Sequence, residues 1–401
     1  MRAFVPLLLA VACSAGRILP SPGPANGGAG GASGADAAGS LAPVGGAGGI
    51  AGAADAAIAP PGSVGEGGGS GGPDVAIAPP PDAGFNSPDL AHPRDATPAV
   101  DTPPAPSTNP PGDLAPYLPI WTWGADGLPY GDLADLKKKT GLPGVTIAFV
   151  LADGGCQASG DITDNLGDVK AFIKAGGHVK ASFGGQEGTY VESRCNSAGA
   201  LAAAISDFVD ATGITDLDFD IEQDPMLTDA VNAMRAQALK MVQDSKHIKV
   251  AFTLEAEDHT AKSMGGLNSS GQSVVRAAVT AGLQISHVNF MTMDFGDNYG
   301  DQPLAPVVIG SLTDGHTQLM NLVPGLTSDQ AWAMVGVIPM IGQNDDAGAF
   351  SLDDARAVAQ FAISNRIGLV AFWSTDRDCD GCSGVDQNDF DFTRIFSAVT
   401  H

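Results

Sequence analysis

From Tyr117 onward the chain alternates between two hydrophobic rhythms. Short β-rich runs recur at Leu118–Trp123, Val145–Leu151, His178–Phe183, Ile214–Ile221, Lys249–Leu254, Ile285–Met293, Met334–Ile341 and Ile367–Trp373. Between them lie stretches with helical spacing. Leu201, Ile205, Phe208 and Val209 fall at i, i+4, i+7 and i+8 and make one apolar stripe. That helix has a natural stop at Gly213, and Ser351-Leu352-Asp353-Asp354 reads as a capping box opening the next-to-last helix. A final helix is expected from about Asn388 to Val399. Eight strand–helix units predict a parallel sheet closed into a (β/α)8 TIM barrel. An open doubly wound sheet would carry a Gly-rich phosphate turn after its first strand, and Trp121-Thr122-Trp123-Gly124 is nothing like one.

Before this pattern the sequence changes character. Residues 1–12 read as a signal peptide, with one basic side chain ahead of an apolar run. Leu9-Ala10-Val11-Ala12-Cys13 resembles a bacterial lipoprotein box, which would make Cys13 a lipidated N-terminus and the protein secreted or cell-surface. Residues 13–116 are Gly/Ala-rich, then Pro/Asp-rich. This composition buries too little apolar surface to offset chain entropy, so a long disordered linker is expected, with 117–401 as the catalytic domain. The net charge of −25 argues against attraction to nucleic acid or anionic lipid, leaving a lipid anchor as the only expected membrane contact. A monomer without cofactor or metal is expected. The histidines His178, His259 and His287 lack ligand spacing, and Asp376, Asp378, Asp380 and Gly381 only begin a calcium loop that has Gln387 at its twelfth position. Setting Cys13 aside leaves four cysteines, most simply paired Cys156–Cys195 and Cys379–Cys382 in an oxidising compartment.

The candidate chemistry lies on strand four, Ile214-Thr215-Asp216-Leu217-Asp218-Phe219-Asp220-Ile221-Glu222. Alternation puts Asp216, Asp218, Asp220 and Glu222 on one face and the apolar residues on the other. In a barrel the acids then point inward, where crowding drives their pKa values apart, a pattern expected of acid/base catalysis. Trp373, ending strand eight, would lie on the loop face that carries a barrel's active site. Trp121 and Trp123 alternate, so at most one faces inward.

These residues resemble glycoside hydrolase family 18, the chitinases and endo-β-N-acetylglucosaminidases. Asp218-Phe219-Asp220-Ile221-Glu222 is similar to the family's strand-four signature, Ser182-Phe183-Gly184-Gly185 to its SxGG, and Asn289-Phe290-Met291-Thr292-Met293-Asp294 to its MxYD, with Trp373 as the aromatic floor. Asp153-Gly154-Gly155-Cys156 and Met293-Asp294-Phe295-Gly296 resemble secreted bacterial members. Two departures stand out. Thr215-Asp216 replace the usual Asp/Asn-Gly, and Met293 replaces the tyrosine whose phenol would bond the substrate's N-acetyl group. Tyr299 is the nearest tyrosine in sequence that could substitute. The resemblance implies a retaining, substrate-assisted chitinase. Glu222 would be the proton donor, Asp220 would orient the acetamido group, and Asp218 would share a proton with Asp220. Trp373, Met291, Asp294, Ser182, Gly184 and Tyr299 would bind or shape the site for chitin or N-acetylglucosamine oligosaccharides. An endo-β-N-acetylglucosaminidase acting on N-glycans and a non-catalytic chitin-binding barrel are the alternatives; retention of Glu222 weighs against the latter.

Overall fold

A computed structural model describes residues 112–260, 263–300 and 302–400. Cys13, the signal segment and nearly all of the expected linker lie outside the described residues. Eight parallel strands close into a barrel. They are β1 (Asp113–Leu114 and Tyr117–Pro119), β2 (Gly144–Val150), β3 (His178–Gly184), β4 (Asp216–Asp220), β5 (Lys249–Glu257), β6 (Ile285–Met291), β7 (Val335–Ile338) and β8 (Leu369–Val370). Closure falls at β1. Its first piece pairs with β8 and its second with β2, and Pro116, which has no N–H to donate, sits at the switch.

The sheet therefore begins four residues before the boundary read from the sequence, because Asp113 and Ala115 donate to Gly368 and Val370 across the seam. It also leaves strand geometry earlier than expected. After Pro119 the chain turns into a 3₁₀ segment, Ile120–Thr122, so the expected strand Leu118–Trp123 is halved. Strand seven is likewise shorter than expected. Met334 belongs to the helix Ser328–Met334, and Pro339 interrupts the ladder before an isolated bridge joins Met340 to Trp373. In β8 only Leu369–Val370 are regular, although Ala371 and Trp373 still donate to Val337 and Pro339. The last helix is Asp391–Phe396 followed by a 3₁₀ turn, not the longer span from Asn388. Its start is set by the buried carboxylate of Asp378, which accepts from the Phe392 and Thr393 N–H groups. Asp378 thus has a structural partner of its own in the stretch that begins like a calcium loop.

The alternation on β4 sorts its side chains as expected. Leu217 and Phe219 face the helices, with Phe219 stacked on Phe183 at 5.1 Å, while Asp218 and Asp220 enter the barrel. The helix Ala198–Thr212 buries the stripe Leu201, Ile205, Phe208 and Val209 against this layer and ends at Gly213 with φ 74°. Ser351 and Asp354 form the expected capping box of the helix Leu352–Asn365. Both expected disulfides are formed. Cys156–Cys195 joins the loops after β2 and β3, and Cys379–Cys382 closes a short turn after β8. Among the described residues no helix is long and apolar enough to cross a membrane.

Candidate active site

The C-terminal ends of the strands open into a cavity of about 490 Å³. Its wall is aromatic. Trp373 stacks on Phe149 (centroids 5.7 Å apart, planes 13° apart), and Trp121 stands 6.1 Å from Trp373 at the mouth, 64% exposed. The 3₁₀ turn thus settles the choice between the two tryptophans: Trp121 faces the cavity, while the Trp123 indole donates to Asp168 on the outside. Met291, Met293 and Asp294 also line the space.

At the floor the three carboxyls of β4 differ sharply in surroundings. Asp218 is buried and fully engaged. It accepts from the Tyr117 hydroxyl (2.9 Å), Ser182 Oγ (2.7 Å), Thr253 Oγ1 (2.8 Å) and Asn289 Nδ2 (3.2 Å). Burial raises its pKa, and these donors oppose the rise by favouring the charged form. Asp220, equally buried, is pushed well above the usual carboxylate range, by burial first and then by the charges of Glu222 and Asp218. One of its oxygens, Oδ1, is buried without a hydrogen-bond partner. Glu222 lies just past the end of the strand, with its carboxyl beside that of Asp220. Burial, Glu255 and Asp294 push its pKa up to about 7. The three carboxyls titrate as one system.

Asp216 does not join them. It sits two residues deeper, at the opposite end of the barrel, where Lys180 Nζ lies 2.9 Å away. Ser182 is completely buried behind Asp218 and does not reach the cavity. Gly184 (φ 110°) is a packing position: a Cβ there would come within 2.1 Å of the Asp220 carbonyl and 2.9 Å of the Tyr190 ring. Tyr299, expected as the replacement phenol, instead donates to the Asp258 carboxylate and lies outside the cavity lining. Asp294 has a left-handed backbone (φ 52°) and uses its Oδ1 to hold the Asp345 N–H (2.8 Å) at the rim.

Two tyrosines escaped the sequence reading. Tyr117 touches both Asp218 and Thr253; its place at the start of the barrel pattern gave no sign of this, because the first strand begins earlier than its apolar run. Tyr190 is buried beneath Gly184, in a loop with no periodic signal. Its hydroxyl accepts from the Glu222 N–H at 3.0 Å.

Barrel and carboxyl row together are those of a chitinase-like glycoside hydrolase barrel, and they resemble family 18. Individual proteins agree, although no family model matches the chain. It is 30% identical over 286 residues to a probable bifunctional chitinase/lysozyme of Escherichia coli (strain K12), covering 66% of this chain and 31% of that protein. It is 31% identical over 280 residues to endochitinase 11 of Metarhizium anisopliae, covering 65% and 52%. The chain thus spans only about a third to a half of the length of these curated relatives. The catalytic domain of a hyperthermophilic chitinase from Pyrococcus furiosus superposes with a TM-score of 0.63 at 29% identity, over 72% of this chain and 95% of that one.

Proposed function

We propose that the protein is a retaining chitinase that hydrolyses β-1,4-linked N-acetylglucosamine chains with the substrate's own acetamido group as nucleophile. The observation that carries this reading is Glu222, a carboxyl with its pKa raised to about 7, set beside the buried Asp220 under a wall of aromatic rings. A general acid works best when its pKa lies near the working pH, and aromatic faces suit the apolar faces of sugar rings.

In this reading Glu222 gives its proton to the glycosidic oxygen as the bond to the leaving sugar breaks. The acetamido carbonyl oxygen attacks the anomeric carbon from the opposite face and forms an oxazolinium ion. Water, giving a proton back to Glu222, then opens that ion with overall retention. The unpartnered Oδ1 of Asp220 is an acceptor for the acetamido N–H, and negative charge on the Asp218–Asp220 pair stabilises the positive charge that develops there. Asp218 is held by four donors, so it stays in place while its neighbour moves protons. The two disulfides and the signal-like N-terminus support an exported enzyme, with Cys13 as a lipid anchor.

Fluorogenic chitobiosides and chitotriosides test the proposal. Release of fluorophore from both, with none from the cellobiose analogue that lacks the acetamido group, is expected. Inert chitin substrates, or efficient cleavage of the cellobioside, would overturn it.

A further inference from the structure

The β4 ladder ends before the residue on which the chemistry is proposed to rest. Asp220 is the last paired residue, opposite Gly184 and Thr253, and the Ile221 N–H still reaches the Thr253 carbonyl at 3.0 Å. Glu222 follows with its N–H outside the sheet. That N–H is 3.0 Å from the hydroxyl of Tyr190. The same hydroxyl lies 3.0 Å from the carbonyl of Asp220 and 2.8 Å from that of Gly185. One phenol therefore ties the end of β3 to both backbone groups that flank Ile221.

Several contacts fix the phenol itself. The ring is 99% buried and packs where Gly184 has no side chain. Tyr190 opens the short helix Val191–Arg194, whose Glu192 is buried in an ion pair with Arg235 (2.7 Å). Arg235 in turn donates to the Met226 carbonyl (2.9 Å), in the segment that follows Glu222. Cys195, next after the helix, is bonded to Cys156. Just before Tyr190 in sequence, the Thr189 carbonyl accepts from the Ala152 N–H at 2.8 Å.

We propose that Tyr190 is a positioning residue: it holds the backbone of Glu222 so that the carboxyl stays against Asp220 and under the aromatic wall. The proposal rests on the function proposed above for its effect on catalysis, but not for the contact itself. Glu222 is faced by Asp220 from its own strand, Glu255 from β5, Asp294 from beyond β6 and the Tyr190 hydroxyl from beyond β3. A backbone released from Tyr190 lets the carboxyl turn toward water, away from the burial and like charge that keep it protonated. Its pKa then falls.

Tyr190→Phe keeps the ring in its slot and removes only the hydroxyl. Amide hydrogen exchange at Glu222 reads the contact without any substrate. Exchange about tenfold faster than in the parent is expected, the factor one ordinary hydrogen bond represents, with Ile221 unchanged. On a chitotrioside, kcat is expected to fall about tenfold with KM little changed, and the alkaline limb of its pH profile to move down by about one unit. In a Glu222→Gln background the same substitution is expected to change the residual rate less than twofold, because the group it positions has gone. Unaltered exchange at Glu222 would overturn the contact. Faster exchange with an unmoved pH limb, or an equal loss in both backgrounds, would overturn the positioning role. An inactive parent would refute the proposed function while the exchange result still decides the contact.

Discussion

Glu222 is a compromise between stability and chemistry. Its pKa is raised from 4.5 to about 7, so the folded state disfavours its ionised form. The stability it contributes is complete below about pH 4.5 and is lost as the pH rises through about 7. Glu222→Gln removes that loss. Hydrolysis is expected to fall at least ~10²-fold, the usual scale of general acid catalysis, while the melting temperature rises relative to the parent as the pH is taken from 4.5 to 8. Calorimetry at several pH values checks this; a melting difference that does not change with pH would contradict the assigned environment. The residue was legible in the sequence because alternation on a barrel strand fixes which side chains point inward. Depth was not legible. Asp216 has the same alternation as Glu222, yet it lies at the other end of the strand, and only the register with Lys180 distinguishes them. Tyr190 was invisible for a related reason: its role comes from a loop crossing over Gly184, a tertiary approach that no local pattern encodes.

At the scale of elements, the opposite end of the barrel has its own charged cluster. Lys180 is 3% exposed between Asp216 (2.9 Å) and Asp113 (3.5 Å), which joins the starts of β1, β3 and β4. Removing the cation leaves partly buried Asp216 with only Lys249 at 4.0 Å and Asp113 with only His178 at 3.0 Å as ion-pair partners. Lys180→Met is expected to cost about 3 kcal/mol in urea unfolding, with activity at low temperature retained because the site lies at the other rim. Adding Asp216→Asn is expected to recover part of the loss; a single variant as stable as the parent would refute the role. The cluster gives a reason for Asp216 where the signature it resembles has glycine: its partner Lys180 reaches it from the neighbouring strand. The strands themselves were legible from their β-rich runs. Their ends were not, because Pro116, Pro119 and Pro339 cut or shift ladders that the apolar runs alone extend.

For the whole molecule, the disulfide between the β2 and β3 loops and the aromatic wall lie on the rim that carries the carboxyls, and all of the proposed machinery falls after residue 112. Deleting residues 14–110 is accordingly expected to leave turnover of soluble chitin oligosaccharides unchanged within twofold; a large loss would make that segment part of the enzyme. The central claim is a two-step reaction with net retention at the anomeric carbon. It is tested most directly by following the anomer of the first product with ¹H NMR as the protein hydrolyses N-acetylated chitin hexasaccharide. Attack by the substrate's acetamido group on one face and opening by water from the opposite face, the one the leaving sugar vacated, predict that the β-anomer appears first and only then mutarotates. Initial release of the α-anomer would contradict the account.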